Sequence, residues 1–233
     1  MRRIFLYILI GLIALVVVFA IRIGYTIWRL PAIESYRTFT PKITAMMKHN
    51  HDADRAGIIY VPIEKISPSL IRAVLLAEDV SFFSHHGIDW DEFRLSLRQN
   101  WERKRLYRGG STITMQLARN LFLSPSRNPL RKIEEMIIAT MMEKKLSKRR
   151  ILELYLNVVE WGPHVYGAEA AARYHFGTSA ANLTVEQACA LAAILPSPKK
   201  WNPNKPGKGL QERISKLCEK YDTFPLKVPE NLQ

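Results

Sequence analysis

The sequence predicts a mainly α-helical domain tied to a membrane by one N-terminal transmembrane helix. Three observations carry that expectation. Residues Ile4 to Ile21 are apolar without interruption. Beyond Ser67, apolar residues recur at three- and four-residue spacing. Ser, Thr or Asp stands just ahead of most of those runs, where a helix start needs a side-chain acceptor.

At ~1.5 Å per residue the first run approaches the ~30 Å hydrocarbon core of a bilayer. Arg2 and Arg3 precede it and Arg22 follows it. A cleaved secretory leader is the alternative, because Val18-Phe19-Ala20 offers small residues at cleavage positions, although the run is long for a leader's apolar core. Arg22 and Arg29 nearly balance Arg2, Arg3 and the terminal amine, so charge does not select an orientation. Either reading exports the remainder of the chain.

Residues 1–27 are read as the anchor and 28–56 as a stalk, since Trp28 to His51 mixes prolines and charges without periodicity. The main folded unit is assigned to 57–200, with a peripheral Lys- and Pro-rich segment at 201–233 in which Leu210 to Tyr221 suits one last helix. Gly57 to Val61 is short and β-branched, the best strand candidate. Ser67-Pro68 opens a helix with Ile71, Val74 and Leu75 on one face and Glu78 near its end. Asp89 with Glu92 and Thr184 with Gln187 have capping-box spacing, Ser147 divides the segment from Arg131 to Asn157, and Pro196 ends a helix. Seven to ten helices with short connections follow from these signals.

The formal net charge of +13 gives a surface that attracts anions, whether nucleic acid, anionic lipid or a phosphorylated substrate, and charge alone does not choose among them. Cys189 and Cys218 are the only thiols, which implies no disulfide framework, and one bridge stays open in an oxidising compartment. His85, His86, His164 and His175 lack metal-ligand spacing. Ser197-Pro198-Lys199-Lys200 has the Ser-x-x-Lys form of penicillin-reactive enzymes without its companion motifs, and is read as a loop.

Three constellations carry chemistry. In Glu78-Asp79-Val80-Ser81-Phe82-Phe83-Ser84-His85-His86-Gly87 two acids meet aromatic residues at a helix end. A carboxylate held against apolar groups loses hydration, so its pKa rises and it becomes a better base; a solvated acid pair is the plainer reading. Gly109-Gly110-Ser111-Thr112-Ile113-Thr114 leads into Met115-Gln116-Leu117-Ala118-Arg119-Asn120, a glycine loop entering a helix, which suits phosphate oxygens or simply a cap. It lacks the Gly-Lys-[Ser/Thr] ending of a nucleotide P-loop. Arg131-Lys132-Ile133-Glu134-Glu135 places Arg131 and Lys132 on the face of Glu135, as an ordinary surface pair also would. Arg119, Arg127 and Lys132 follow the loop closely enough to converge on one diphosphate.

Together, and in this order, Glu-Asp-x-x-Phe-x-x-His-x-Gly, Gly-Gly-Ser-Thr-Ile-Thr and Arg-Lys-x-x-Glu resemble the peptidoglycan glycosyltransferase family. Ser147-Lys148 through Ile-Leu-Glu-Leu-Tyr-Leu-Asn157 and Gly167-Ala-Glu-Ala-Ala171 through Pro196 extend the likeness over Ser67 to Pro198. The resemblance implies a lysozyme-like fold and polymerisation of a lipid-linked disaccharide-peptide precursor (lipid II) into β-1,4 glycan strands. Transfer inverts the donor and releases undecaprenyl diphosphate, with Glu78 as general base and Glu135 as the second catalytic glutamate. It carries over Asp79, Phe82, His85, Ser111, Thr112, Gln116, Arg119, Asn120, Arg127, Arg131 and Lys132 as substrate-contacting candidates. A divalent cation, Mg or Mn, is implied on the diphosphate near Glu78 or Glu135, with no organic cofactor. The implied setting is the bacterial inner membrane, single-pass, with the domain on the external side; the implied partners are the growing lipid-linked glycan and cell-wall synthesis proteins, not nucleic acid. Met115, Arg119 and Thr178 depart from the family's frequent Gln, Lys and Lys.

Two rivals stay open. A lytic enzyme would also use a lysozyme-like fold and an essential glutamate, but a neutral leaving group gives the cations little to do. A basic membrane-tethered scaffold or nucleic-acid binder explains the charge and leaves the ordered motifs unexplained. Trp90, Phe93, Leu97 and Trp101 recur on one helical face among Arg94, Arg98, Arg103, Lys104 and Arg105, a pattern for a lipid headgroup layer or for packing on the core.

Overall fold

The computed structural model describes residues 2–28, 31–54, 57–103, 109–123, 130–226 and 228–229. Arg29, Lys104, Arg105 and Arg127, singled out above, lie outside the described residues. Helix α1 (Arg2–Trp28) contains one stretch, Arg3–Tyr25, long and apolar enough to cross a membrane, and none of it is buried by the rest of the chain. Its far end docks on the domain, where Arg22 donates from Nε and Nη2 to the two oxygens of the Glu134 carboxylate.

The helices α2 (Pro31–Ser35) and α3 (Ala45–His49) lie within the stretch read as a stalk, and Ile33 and Met47 there are fully buried. Packing therefore draws residues on the N-terminal side of 57 into the buried set. Helix α4 (Pro68–Glu78) starts as the sequence indicates, with Ser67 Oγ accepting from Ser69 N. Asp89 caps α5 (Trp90–Glu102), Thr112 caps α6 (Ile113–Phe122), and Ser147 separates α7 (Leu130–Lys145) from α8 (Lys148–Val158). Gly167 precedes α9 (Ala168–Phe176), while Thr184 and Gln187 form a reciprocal capping box at α10 (Val185–Ile194). Last comes α11 (Lys208–Thr223), packed on α4 and α10 through Leu210 and Leu217. The domain is mainly helical, as the spacing predicts.

Helix α8 runs through the core, with Ile151 to Val158 buried in succession. A helix buried all round needs its polar groups satisfied. Glu153 accepts from Tyr60 Oη and Ile63 N, and Asn157 pairs with both Val61 N and Val61 O at 2.9 Å. That last pair corrects the strand expected at 57–61. The segment takes no strand partner, because the Asn157 side chain occupies the hydrogen bonds a neighbouring strand would make. The β-structure among the described residues is instead an antiparallel hairpin of β1 (Glu160–Gly162) and β2 (Val165–Tyr166), too short to display alternation in sequence.

Candidate active site

The C-terminus of α4, the loop into α6, and α11 enclose a cleft of about 740 Å³. Glu78, Asp79, Ser111, Thr112, Gln116 and Arg119 line it, so six of the residues picked from sequence share one wall. Glu78 occupies the last turn of α4, where Gln116 Nε2 donates to its carboxylate at 2.8 Å. Gln116 Oε1 in turn accepts from Tyr155 Oη at 3.0 Å, which fixes the amide's orientation and hence the carboxylate's. Burial pushes the Glu78 carboxyl above its ordinary range; the Gln116 bond and the charges of Arg213 and Arg119 pull it back, and Asp79 adds to the rise. Burial likewise drives the Tyr155 phenol well up, so it stays protonated and can donate.

The first two motifs are stitched together behind this wall. Asp79 Oδ2 accepts from Ile113 N at 2.9 Å, the first helical amide of α6, and both Asp79 oxygens lie within 3.1 Å of His85 Nε2. Gly87 N donates to His85 Nδ1, so that nitrogen carries a lone pair and the proton sits on Nε2, facing Asp79. Thr112 Oγ1 donates to Gly87 O at 2.6 Å while accepting from Met115 N. Gly87 has φ +92, and a Cβ there would stand 3.0 Å from the backbone of Ala139 and Thr140. Gly110 is equally constrained: its Cβ would meet Ser96 Oγ at 2.7 Å and Phe93 Cα at 3.0 Å. The glycine loop therefore lies flat on α5.

The third motif reaches the cleft through Ser111. Lys132 Nζ hydrogen-bonds Ser111 Oγ and lies 3.4 Å from Glu135 Oε2, while Arg131 pairs with Oε1 of the same carboxylate. Glu135 is buried between the two cations. Burial lowers the Lys132 ammonium pKa, partly offset by Glu135. Arg119 Nε is buried without a hydrogen-bond partner, an orphaned donor beside the cleft. Phe82 and Asn120 are buried residues, and Lys148 Nζ sits 4.4 Å above the Phe82 ring. Arg127 is outside the described residues.

Arg213 and Lys220 on α11 also line the cleft, and sequence reasoning missed both. Arg213 Nε donates to Ala193 O at 3.0 Å and Lys220 Nζ to Leu76 O at 2.7 Å, so each is anchored across helices. Their only sequence signal is the periodicity of Leu210, Ile214, Leu217 and Tyr221, which turns them to the edge of an apolar face. On α5, Trp90, Leu97 and Trp101 are exposed, Trp101 at 86 %, and Ser96 is the buried residue of that helix. Packing on the core does not account for the aromatic stripe.

Comparison with known proteins agrees with this arrangement. A family model described as Transglycosylase matches residues 45–222. A biosynthetic peptidoglycan transglycosylase of Methylobacillus flagellatus is 45 % identical over 185 residues, 78 % of this chain and 80 % of the relative. One from Nitrosospira multiformis is 44 % identical over 188 residues, covering 78 % and 82 %. One from Acinetobacter baumannii is 42 % identical over 190 residues, covering 80 % and 84 %. By the span of the family match and the identity of these relatives, the chain belongs to the transglycosylase family that includes the biosynthetic peptidoglycan transglycosylases.

Proposed function

We propose that this enzyme polymerises a lipid-linked disaccharide-peptide precursor into β-1,4 glycan strands by inverting transfer from an α-linked diphosphate donor. One observation carries the proposal: Glu78 and the guanidinium of Arg119 line the same cleft, with Lys132 joined to its wall through Ser111. A base and a cation cluster in one cavity suit an acceptor hydroxyl and a departing diphosphate.

In this reading Glu78 takes the proton from the 4-hydroxyl of the acceptor sugar as that oxygen attacks the anomeric carbon. Its raised pKa supports the role, because a carboxylate short of hydration accepts a proton more readily. Gln116 holds the carboxylate in place through the bond anchored on Tyr155. Arg119, Arg127 and Lys132 neutralise the charge that grows on the diphosphate, and Glu135 orients Arg131 and Lys132 rather than touching sugar. A diphosphate leaves without strong general-acid help, so no protonated partner to Glu78 is required.

A divalent cation fits as an ion carried on the diphosphate, near Glu78 in the cleft or near Glu135 behind it. Among the described residues no three of His, Cys, Asp or Glu gather as ligands, and Mg commonly takes one or two carboxylates plus substrate phosphates. Such an ion would add charge neutralisation to that of the arginines and lysine.

The domain is assigned to the external face of the bacterial inner membrane, with α1 spanning and α5 lying in the headgroup layer. The exposed Trp90, Leu97 and Trp101 beside Arg94 and Arg98 support the placement of α5 in the headgroup layer. Incubating the full-length chain with lipid-linked precursor and, separately, with finished wall polymer tests the reaction. Polymer from the first and no cleavage of the second is the expected result; the reverse outcome makes the enzyme lytic.

A further inference from the structure

The transmembrane helix meets the domain along one face. Phe19, Arg22 and Ile23, at i, i+3 and i+4, are half-buried, and the other side chains described in α1 are exposed. Arg22 supplies the directional contact of that face, donating to both oxygens of the Glu134 carboxylate. Glu134 is buried, and a carboxylate shielded from water beside a membrane is stable only with a cation against it. The anchor provides that cation.

The sequence of α1 sets the level of this contact. Its apolar run from Ile4 to Ile21 stops at Arg22, and the exposed Tyr25 and Trp28 follow on the next turns, as aromatic side chains do at a bilayer interface. Arg22 and Glu134 therefore meet where hydrocarbon gives way to headgroups. Arg131, Lys132 and Glu135 stand within three residues of Glu134 on α7. At ~1.5 Å per residue, the cation cluster joined to the cleft through Ser111 lies within about 5 Å of that contact along the helix. The diphosphate of a lipid-linked donor is held at the same level, because its chain is in the hydrocarbon. The other end of α7 is secured separately: Arg37 Nε donates to Lys145 O at 2.8 Å, and Lys145 Nζ lies 3.1 Å from Glu34 Oε2. Ile138, Ala139 and Met142 are buried in the core between the two ends. Loss of the Arg22 pair thus uncouples the start of α7 from the membrane without releasing the helix from the domain.

We infer that Arg22 is a positioning residue: by pairing with Glu134 it fixes the transmembrane helix to the start of α7 and holds Arg131 and Lys132 at the height of a membrane-bound diphosphate. The inference rests on the lipid-linked donor of the proposed function. Arg22 acts through α7.

The test places the full-length chain in two media: phospholipid vesicles, where the bilayer imposes a height, and detergent micelles, which reshape around each protein. Polymerisation of lipid-linked precursor gives kcat and KM for the parent, Arg22→Ala, Glu134→Gln and Arg22→Lys. In vesicles Arg22→Ala and Glu134→Gln are expected to lose about tenfold in kcat/KM, carried by KM, and in micelles less than about twofold; a 1 Å misplacement at the reacting atoms can cost ~10²-fold. Arg22→Lys keeps the charge and is expected to recover most of the loss. A nitroxide on Ile133→Cys, an exposed position of α7, reads the height directly by power saturation in a Cys189→Ala, Cys218→Ser background. Arg22→Ala is expected to shift the label's depth by roughly 3 Å or more, two residues' rise along a helix. Equal losses in vesicles and micelles make the pair merely structural and overturn the inference, as does an unchanged kcat/KM in vesicles or an unchanged label depth. If Arg22→Ala shifts the label while the parent forms no polymer in either medium, the proposed reaction fails and the height-setting contact holds.

Discussion

Replacing Glu78 by Gln removes the proposed base while keeping the volume and the hydrogen bond to Gln116, since the carbonyl of the introduced amide accepts from Gln116 Nε2 as the carboxylate does. General-base catalysis contributes roughly 10²–10⁴-fold, or about 2.7–5.4 kcal/mol of barrier. Turnover with lipid-linked precursor is therefore expected to fall by at least ~10²-fold with donor affinity preserved. Stability moves the other way, and the sign follows from the carboxyl's raised pKa. A folded-state pKa above the unfolded value means the charged form disfavours folding. That cost is absent below the unfolded pKa, grows as pH rises through it, and is complete above the folded pKa. Glu78→Gln should accordingly raise Tm at pH 7, and the difference should vanish toward pH 4, near the ordinary glutamate pKa of ~4.3. Parallel measurements of polymer formation and of Tm at both pH values read the two effects. Near-normal polymerisation by the variant would remove Glu78 from its role, and a lowered Tm at pH 7 would refute the burial reasoning.

Arg213→Ala removes a charge that restrains the Glu78 carboxyl, so its pKa should climb further and the acid limb of kcat/KM shift to higher pH; an unmoved limb means Arg213 does not act on Glu78. Asp79→Ala strands the Ile113 amide and the His85 Nε2 proton, and urea unfolding should show a loss of about 1.5–3 kcal/mol, the cost of hydrogen bonds to a buried charge. Arg127→Ala should weaken donor use more than acceptor use, because only the donor loses its diphosphate; equal effects in single-turnover reactions count against that assignment. With the chain reconstituted in vesicles of brominated lipid, quenching of tryptophan emission should fall on Trp101→Phe, whereas unchanged quenching places α5 away from the bilayer.

Much of the fold was legible because its signals act over a few residues. Ser67, Asp89, Thr112, Ser147 and Thr184 cap the helices they announce, since a cap needs only an oxygen within reach of the next turn's amides. The Gly57 to Val61 strand failed for the opposite reason. Its fate depended on Asn157, 96 positions away, whose side chain takes both hydrogen bonds of Val61. In the site, the motifs named Glu78, Ser111, Gln116 and Arg119, yet gave no sign that Asp79, His85, Gly87 and Thr112 spend their hydrogen bonds on one another.

From the residues alone came the membrane-spanning length of α1, the helical class and the candidates Glu78, Arg119 and Lys132. Each depends on composition, on spacing within a turn or two, or on motifs short enough to read. Only the tertiary structure decided that Arg213 and Lys220 share the cleft with Glu78, that α5 turns its tryptophans outward, and that Glu135 serves Arg131 and Lys132. Those outcomes are set by how helices far apart in the chain bury their apolar faces together. The energy of such packing belongs to pairs of faces, and no local stretch of sequence contains it.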